Sequence, residues 1–520
     1  MAAWLFAFAA NFIFLESFNK MSDSVLPSDL KGFHIHCVGI KGTGVAALVE
    51  ILHAHGAVIT GSDVSERFYT DEILDKLKIK ALPFSSQNIT DSVQLVIYSS
   101  AYNPETNPDL AEAVKRGIPV LLYTQALGAF SKNAYSCGVC GVHGKTTTTG
   151  LCGSIFKELG FPGAVLAGSI ISSFGGCTYT SPVSAESSPL KKSFFIAETC
   201  EYQRHFMSFC PQKIILTSVE SDHQDYYPTF KDIQRAFVDY ICLLPRGGQL
   251  IFCADDSGAL ETARIAFEKR PDIKMVPYGE NADGAYRLKF GRVEGGKQYF
   301  EVACLGECAI CVPGKHNVRN SAAAVALNCE LLKTYGKDLS SYKEKIKEGL
   351  LSFKGGRRRS EIVGRAKTPI GQEVIFIDDY GHHPTAIRTT LEGFRNFYKG
   401  HKIIVDFMSH TYTRTAALLE DFASSFASAD KVIINKIYAS ARENASCAKV
   451  SGEILSEHAK KYHKDVTYCG EFDEAAETAF KMLSEPSGSG YPDGYIFVTM
   501  GAGNNWQVGT KVLKMLETKN

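Results

Sequence analysis

The sequence predicts an α/β protein with three α/β domains in series, and three observations support that prediction. Its 520 residues are about three to four times the roughly 150 residues of a typical domain. From residue 33 onward, short β-branched runs alternate with longer amphipathic ones, which is typical of βαβ units around a parallel sheet. Residues 353–359, which include two glycines and three arginines, interrupt the helical pattern before a new strand.

The composition is that of an ordinary globular protein. Hydrophobic residues make up 45% and charged residues 22% of the chain, and 56 Lys and Arg balance 56 Asp and Glu. This balance argues against disorder and against a surface that binds polyanions, so we expect no nucleic-acid partner. The 15 cysteines follow no regular framework in a chain too long to need disulfides, so we expect a reducing, cytoplasmic location.

The N-terminal segment 1–18 is almost wholly apolar and has the length of a signal sequence or a membrane span. It lacks a basic residue before the apolar run, however, and it contains Asn11 and Glu16. Met21 follows at once, so an over-long reading frame explains the segment at least as well as a targeting signal. Residues 1–32 are therefore interpreted as an N-terminal extension, and we expect no stable membrane insertion.

The predicted strands and helices fall into three blocks, which set the expected domain boundaries at residues 33–132, 133–352 and 353–520. No repeat of roughly 20–50 residues is apparent, which excludes solenoids and propellers. The first block has predicted strands at 33–38, 58–60 and 95–98 and a helix at 46–55. The later blocks have predicted strands at 134–140, 194–197, 213–218, 249–253, 374–377, 402–407, 431–435 and 495–499.

A glycine-rich turn follows the first predicted strand and opens a helix, and Asp63 ends the next strand. Backbone N–H groups of such a turn hold a diphosphate at a helix N-terminus, and a carboxylate at that distance accepts a ribose hydroxyl. The spacing is not GxGxxG, so a nicotinamide dinucleotide, another nucleotide diphosphate and a purely structural β–α turn all stay open. The residues of this glycine turn are Gly39, Lys41, Gly42, Thr43 and Gly44.

A second strand-to-helix turn carries a stronger signal. In such a turn the backbone N–H groups cradle phosphates, the ammonium of Lys145 reaches the β and γ groups, and the hydroxyl of Thr146 binds Mg²⁺. Val139 stands where the general P-loop has glycine, so a structural turn without nucleotide is the alternative. The residues concerned, called the phosphate loop below, are Gly141, His143, Gly144, Lys145, Thr146 and Thr147.

Glu198 and His223 each follow a predicted strand of the second block, and we expect these two strands to be neighbours. The carboxyl ends of parallel strands line the ligand crevice of an open α/β sheet. A carboxylate and an imidazole placed there would hold a second divalent ion between a triphosphate and its acceptor. Taken singly, either residue is more often a solvated loop group.

Together with later motifs, these features resemble the Mur ligases over residues 33–509. The resemblance is strongest to the members that attach L-alanine, because of His34, His36, His410 and Arg414. The motifs that carry it are Gly141-x-x-Gly144-Lys145-Thr146-Thr147, Ala197-Glu198-x-x-Glu201, Glu220-Ser221-Asp222-His223, Gly314-Lys315-His316-Asn317-Val318-Arg319-Asn320, Gly356 with Arg358-Arg359, and Asp378-Asp379-Tyr380-Gly381-His382-His383-Pro384.

The resemblance implies a Rossmann-like UDP-binding domain, a central P-loop ATPase domain with a mostly parallel sheet, and a Rossmann-like C-terminal domain. It also implies an ATP-dependent amide bond between L-alanine and the lactyl carboxylate of UDP-N-acetylmuramate. That reaction passes through an acyl phosphate and belongs to peptidoglycan precursor synthesis. The implied cofactors are ATP and Mg²⁺ or Mn²⁺, and we expect a monomer or weak homodimer.

The resemblance further assigns roles to single residues. The UDP-sugar would contact the glycine turn and Asp63, and the alanine site would contain Tyr380, His382 and Arg414. The implied metal ligands are Thr146, Glu198 and His223. The remaining nucleotide and catalytic contacts would come from the phosphate loop, Asn317, Asn320, Arg358, Arg359 and Asp379.

One departure from the family pattern loosens the amino-acid assignment. Thr411 stands where some members have a second arginine, which leaves Arg414 as the sole obvious carboxylate clamp. A member that attaches the ready-made tripeptide L-Ala-γ-D-Glu-diamino acid is therefore the main alternative. A nicotinamide-dependent oxidoreductase would explain the glycine turn but not Lys145, Glu198 or His223. A binding protein that keeps nucleotide affinity without turnover is a further alternative.

Overall fold

The computed structural model describes residues 25–518 except 185, 187, 188, 225 and 440–449. Its strands form four sheets, three of them large and mostly parallel and one small and antiparallel. This architecture confirms the predicted α/β class. The apolar segment 1–18 and Met21 lie outside the described residues. No helix in the described part of the chain combines the length and the apolar character that a membrane crossing needs.

The N-terminal sheet consists of five parallel strands. These are β1 (His34–Val38), β2 (Val58–Ser62), β3 (Ala81–Leu82), β4 (Leu95–Tyr98) and β5 (Val120–Leu122), with helices α1 (Thr43–Ala54), α2 (Asp71–Leu77), α3 (Pro108–Lys115) and α4 (Tyr123–Lys132). The strand order is β3-β2-β1-β4-β5. The direction of winding reverses beside β1, and the glycine turn follows β1, so the turn lies where open α/β sheets keep a ligand crevice.

The central sheet has seven strands, all parallel except the β7–β8 pair. They are β6 (Tyr135–Cys140), β7 (Gly163–Ile171), β8 (Gly176–Thr180), β9 (Phe194–Glu198), β10 (Lys213–Leu216), β11 (Gln249–Cys253) and β12 (Lys274–Tyr278). The small antiparallel sheet follows, with β13 (Leu288–Glu294), β14 (Lys297–Val302) and β15 (Gly306–Ile310). The helices of this part are α5 (Lys145–Leu159), α6 (Phe230–Ile241), α7 (Ser257–Lys269), α8 (Lys315–Thr334) and α9 (Lys343–Ser352).

The strand order of the central sheet corrects one expectation. The order is β12-β11-β10-β6-β9-β7-β8, so β9, which ends at Glu198, and β10, which precedes His223, are not neighbours. They lie on either side of β6, because β6 pairs with β10 along one edge and with β9 along the other. The phosphate loop at the end of β6 is therefore flanked by both predicted metal ligands.

The C-terminal sheet has six strands in which β16 is antiparallel and the others are parallel. Its strands are β16 (Glu361–Lys367), β17 (Glu373–Asp379), β18 (His401–Phe407), β19 (Lys431–Ile434), β20 (Val466–Tyr468) and β21 (Gly494–Met500), in the order β16-β17-β21-β18-β19-β20. Its helices are α10 (Pro384–Phe397), α11 (Tyr412–Ala417), α12 (Leu419–Ala423), α13 (Gly452–Ala459), α14 (Phe472–Ser484) and α15 (Trp506–Glu517).

The three units are joined in different ways. One apolar cluster runs through the N-terminal and central sheets, whereas each face of the C-terminal sheet has a cluster of its own. Helix α1 packs on β7 and β8, where Glu50 accepts a hydrogen bond from the Cys177 N–H at 2.9 Å. Because whole sheets fall within residues 33–132, 133–352 and 353–520, we propose these ranges as the three domains.

The C-terminal sheet contains a fully buried carboxylate, Asp406, near the end of β18. The side-chain amides of Asn435 and Asn505 each donate a hydrogen bond of 3.0 Å to it. Burial nevertheless raises the pKa of Asp406 from 3.8 to about 7. A carboxyl with a raised folded pKa stabilises the fold below its unfolded pKa, and that contribution is lost as the pH rises through the folded value.

We therefore expect the Asp406→Asn variant to gain stability relative to the wild type between about pH 4 and pH 7. The gain should not exceed about 1.4 kcal/mol per pH unit, and it should level off above pH 7. Urea unfolding at a series of pH values measures this difference. Asp421→Asn, at an exposed position, is the matched control. Parallel pH profiles for wild type and Asp406→Asn would contradict the prediction.

Candidate active site

A cavity of about 1080 Å³ lies between the central and C-terminal units. The phosphate loop, the loops after β9 and β10 and the start of α8 form its central wall, and the loops after β17 and β18 form its C-terminal wall. The predicted site residues that line it are His143, Gly144, Lys145, Thr146, Thr147, Glu198, His223, Asn317, Asn320, Arg359, Asp379, Tyr380, His382 and Arg414.

The phosphate loop has the backbone of an anion-binding turn. Gly141 has φ 135° and Gly144 has φ 81°, values in the region that side chains disfavour. A Cβ atom at Gly144 would lie 2.6 Å from the Asn320 Oδ1 atom, so only glycine fits there. Helix α5 begins at Lys145, and the N–H groups of its first turn have no partner within the helix. Such a helix start attracts phosphate groups.

Lys145 is held at the cavity by a buried carboxylate. Its Nζ atom lies 2.9 Å from Glu201 Oε2 and donates hydrogen bonds to the carbonyls of Gly141 and Val142 at 2.6 and 3.2 Å. Burial lowers the pKa of Lys145, but the negative charge of Glu201 more than offsets this, so the pKa is raised overall. The ammonium is therefore charged and positioned before any phosphate binds.

Glu201 is a functional residue to which the sequence reasoning assigned no role. It is almost fully buried, and its Oε1 atom lies 3.5 Å from His223 Nε2. Burial raises its pKa, but Lys145 and His223 outweigh that effect and hold the pKa of Glu201 below the usual value. The sequence contained a signal for Glu201, because this residue is part of the Ala197-Glu198-x-x-Glu201 motif that carries the family resemblance.

The structure unites two of the three predicted metal ligands. The Thr146 hydroxyl donates a hydrogen bond to Glu198 Oε1 at 3.0 Å, and Glu198 Oε2 accepts one from the Gly168 N–H at 2.7 Å. Hydroxyl and carboxylate oxygens are the ligands that Mg²⁺ prefers. His223 instead contacts Glu201, and within the described residues it makes no hydrogen bond or ion pair to Glu198. Its φ of 54° is unusual for a side-chain-bearing residue.

The two predicted α8 asparagines support the phosphate loop. The Asn317 amide donates a hydrogen bond to the Pro313 carbonyl at 2.7 Å, and the Asn320 amide donates one to Asn317 Oδ1 at 3.2 Å. This chain of bonds places the Asn320 oxygen against Gly144. Both asparagines line the cavity. This position is compatible with the adenine contact implied by the resemblance, which stays a prediction.

The paired arginines before β16 have different surroundings, and the phosphate contact implied for Arg358 or Arg359 stays a prediction. The Arg358 guanidinium donates to Asp378 Oδ2 at 2.8 Å and to the carbonyls of Gly501 and Gly503 at 2.7 and 3.0 Å. These bonds use the guanidinium within the C-terminal unit, and Arg358 does not line the cavity. Arg359 does line it, with its guanidinium carbon 5.1 Å from the centre of the Tyr380 ring.

Asp379 is fixed by backbone donors. Its Oδ2 atom accepts a hydrogen bond from the Ser360 N–H at 2.7 Å, and its Oδ1 atom accepts one from the Gly381 N–H at 2.8 Å. Burial raises the pKa of Asp379 despite these bonds. The residue therefore holds the segment that carries Arg359 against the end of β17.

Arg414 joins the two walls of the cavity. Its Nη2 and Nε atoms donate to Asp222 Oδ1 at 2.8 and 3.1 Å, and both side chains are buried. Burial would raise the pKa of Asp222, but the Arg414 guanidinium outweighs it and holds the pKa well below the usual range. The arginine that was predicted to clamp a substrate carboxylate thus already holds a carboxylate of the central unit.

The glycine turn lies outside the cavity. Gly39 has φ 77°, and a Cβ atom there would come within 2.6 Å of the Tyr102 ring. Asp63 accepts hydrogen bonds from the Lys41 N–H at 2.7 Å and from the Tyr102 hydroxyl at 2.9 Å. Its carboxylate therefore supports the turn, and the contact to a ribose hydroxyl stays a prediction. The Thr43 hydroxyl bonds to the Tyr69 hydroxyl at 2.6 Å.

Lys41 is also engaged within the N-terminal unit. Its Nζ atom donates to the carbonyls of Val64 and Glu66 at 2.9 and 2.7 Å and lies 3.4 Å from Asp71 Oδ1. The ammonium is buried and so faces its own domain. An anion bound at this turn would therefore contact the N–H groups at the start of α1 and not the Lys41 ammonium.

Comparison with known proteins covers nearly the whole chain. Family models described as "Mur ligase family, catalytic domain", "Mur ligase middle domain" and "Mur ligase, glutamate ligase domain" match residues 34–135, 139–328 and 358–503. A UDP-N-acetylmuramate–L-alanine ligase of Treponema pallidum is 46% identical, with 94% of this chain and 98% of the relative covered. The same-named protein of Borreliella burgdorferi is 37% identical, with 91% and 97% covered.

Solved structures agree with the fold. The UDP-N-acetylmuramate-alanine ligase of Thermotoga maritima has a TM-score of 0.71 at 23% identity, with 94% of this chain and 100% of that chain covered. A murein peptide ligase of Psychrobacter arcticus has a TM-score of 0.60 at 19% identity, with 93% and 99% covered. Because the family models and the relatives match along almost the full length, the chain belongs to the Mur ligase family.

Proposed function

We propose that this protein joins L-alanine to the lactyl carboxylate of UDP-N-acetylmuramate in an ATP-dependent step of peptidoglycan precursor synthesis. The observation that carries the proposal is the convergence of Lys145 from the central unit with Arg359 and Arg414 from the C-terminal unit on one cavity. The curated relatives support the choice of substrates, since both named above are alanine ligases matched over nearly their full length.

The phosphate loop would hold ATP. The close approach of Asn320 to Gly144 and the first-turn N–H groups of α5 shape a phosphate cradle with Lys145 at its side. Thr146 and Glu198 fit Mg²⁺ or Mn²⁺, because both offer oxygen ligands at hydrogen-bond distance from each other. A bound ion would supply positive charge to the phosphate oxygens.

Positive charge is the main requirement of the first step, because the attacking carboxylate and the γ-phosphate are both anionic. Lys145, Arg359 and the N–H groups at the start of α5 would provide it from this chain. Attack of the lactyl oxygen on phosphorus would give an acyl phosphate, with ADP as the leaving group. The UDP end of the substrate would bind at the start of α1.

The second step needs an uncharged amine, because a protonated amine cannot attack the acyl carbon. Arg414 lines the C-terminal wall with His382 and would bind the alanine carboxylate through Nη1, because Asp222 accepts the hydrogen bonds of Nε and Nη2. Burial lowers the pKa of His382 well below its usual value, so its imidazole is neutral before substrates bind. Bound phosphate anions favour the protonated imidazole and so would make His382 a better proton acceptor during the reaction.

Contacts between the two walls would keep water from the acyl phosphate. The Asp222–Arg414 ion pair is buried, and the Thr385 hydroxyl donates a hydrogen bond to Glu220 Oε2 at 3.0 Å. Both contacts link the loop after β10 to the C-terminal unit. Closure of the cavity through such contacts protects intermediates that hydrolyse readily.

We further infer that the reaction takes place in the cytoplasm, where ATP is available. We expect the protein to act as a monomer or weak homodimer. Size-exclusion chromatography with light scattering tests this expectation. A stable higher oligomer would contradict it.

Phosphate release tests the proposed reaction directly. With ATP and Mg²⁺ present, release should require both UDP-N-acetylmuramate and L-alanine, and mass spectrometry should show one added alanine residue. Replacing L-alanine by L-Ala-γ-D-Glu-diamino acid should support little release. If phosphate is released with the tripeptide but not with L-alanine, the protein is the recycling ligase instead. If neither amine supports phosphate release, the protein is not a ligase of this kind.

The Lys145→Ala variant should lower kcat at least about 100-fold, because loss of one group that stabilises transition-state charge typically costs 10²–10³. The same phosphate-release assay measures it. Lys115→Ala removes a lysine from an exposed ion pair on α3 and should leave kcat unchanged. Circular dichroism of the variant checks the fold, and near-normal turnover of a folded Lys145→Ala protein would contradict the assignment.

The Arg414→Lys variant should raise the KM for L-alanine about tenfold or more, because lysine keeps the charge but loses the planar fork that binds a carboxylate. The KM for ATP should change much less. Arg264→Lys, in an exposed ion pair on α7, is the control. An equal rise in both KM values would indicate that Arg414 acts on domain closure and not on alanine.

A further inference from the structure

Three potential metal ligands meet at the boundary between the central and C-terminal units. They are His143 of the phosphate loop, Glu220 after β10 and His383 before α10, and we call them the interdomain histidine cluster. One ligand atom from each lies within 4.8 Å of those of the other two. His143 Nε2 forms a close ion pair with Glu220 Oε1, and His383 Nδ1 lies 3.8 Å from the same oxygen.

The donor set matches a particular class of metal. Two imidazoles and one carboxylate make a common three-residue set for Zn²⁺, with the fourth position left to water. Bonds of about 2.0–2.1 Å in tetrahedral geometry place donor atoms roughly 3.3 Å apart. The three ligand atoms lie within 4.8 Å of one another, so side-chain rotations that separate His143 from Glu220 and bring His383 nearer would place them around an ion. Hard ions such as Mg²⁺ prefer all-oxygen ligands and suit Thr146 and Glu198 better.

Neighbouring groups hold two of the three ligand-bearing segments. The His143 backbone N–H donates a hydrogen bond to Ser218 Oγ at 3.0 Å, and Glu220 Oε2 accepts one from the Thr385 hydroxyl. His383 is buried, and its Nε2 atom has no hydrogen-bond partner among the described residues. The planes of the His143 and His383 rings are inclined at 50° to each other, with ring centres 4.9 Å apart. The proposed reaction leaves this arrangement of side chains unexplained.

We propose that His143, Glu220 and His383 form a binding site for a first-row transition metal ion of the Zn²⁺ class, separate from the Thr146–Glu198 pair. Because its ligands come from both walls of the cavity, a bound ion would hold the C-terminal unit against the phosphate loop. Metal binding at this site does not depend on the proposed ligase reaction. A bound ion should also raise the unfolding temperature of the protein, because a ligand that binds only the folded state stabilises that state.

Metal titration of the full-length protein tests the site without substrates. The chain is freed of metal with a chelator, kept in millimolar Mg²⁺, and titrated with Co²⁺ as a spectroscopic stand-in for Zn²⁺. One equivalent of Co²⁺ should bind with the intense visible bands of a four-coordinate ion, and Zn²⁺ should displace it. X-ray absorption of the Zn²⁺ form should show two imidazole ligands.

Two conservative variants locate the ion. His383→Asn keeps the side-chain acceptor at the start of α10, and Glu220→Gln keeps an oxygen for Thr385, but each removes a metal ligand. Each should weaken Zn²⁺ binding at least about 100-fold, because loss of an outer partner of a ligand alone costs 10–100-fold. His458→Gln, which disrupts a surface His–Glu pair, should bind Zn²⁺ like the wild type.

The outcomes separate the proposal from its alternatives. Unchanged Zn²⁺ affinity in both His383→Asn and Glu220→Gln would overturn it, as would loss of binding in Glu198→Gln with retention in those two. Absence of saturable binding to the wild type at micromolar Zn²⁺ would also overturn it. Thermal unfolding shows whether each variant folds. If a variant does not fold, the visible spectrum of the Co²⁺-bound wild type still tests the ligand set.

Discussion

Buried carboxylates hold the cationic side chains of the cavity in place, and the rest of the site depends on these ion pairs. Glu201 holds Lys145 beside the phosphate loop, and Asp222 holds Arg414 across the domain boundary. Removing one partner of such a pair costs about 3–5 kcal/mol, because the other charge remains buried without compensation. The pairs therefore hold the Lys145 and Arg414 side chains in position at the cavity before any phosphate is present.

The topology of the central sheet explains why these charged groups lie close together. Strand β6 lies between β9 and β10, so the phosphate loop has Glu198 on one side and the segment with Asp222 and His223 on the other. The C-terminal sheet adds its own carboxyl edge opposite, where β17 and β18 end. Two sheets from different domains thus contribute to a single site, as a reaction that brings an acid, an amine and ATP together requires.

Much of this site was predictable because its motifs are local. The phosphate loop, Glu198 and Arg414 line the cavity as expected. The local sequence was least informative where a side chain had a choice of partners. Arg358 and Arg359 are adjacent residues of the same type. Arg358 donates hydrogen bonds to Asp378 and to two backbone carbonyls, whereas Arg359 lines the cavity. Nothing in the local sequence distinguishes the two.

Local patterns in the chain predicted eleven of the 21 strands that the structure describes, the helix after the glycine turn and both glycine turns, because periodicity and the backbone freedom of glycine are properties of neighbouring residues. Gly141 and Gly144 adopt the positive φ values that such a turn demands. The remaining strands, the order of all strands in each sheet and the partner of each charge became known from the folded structure alone. Asp222 and Arg414 are 192 residues apart, and their pairing depends on how two whole domains pack, which no local pattern records.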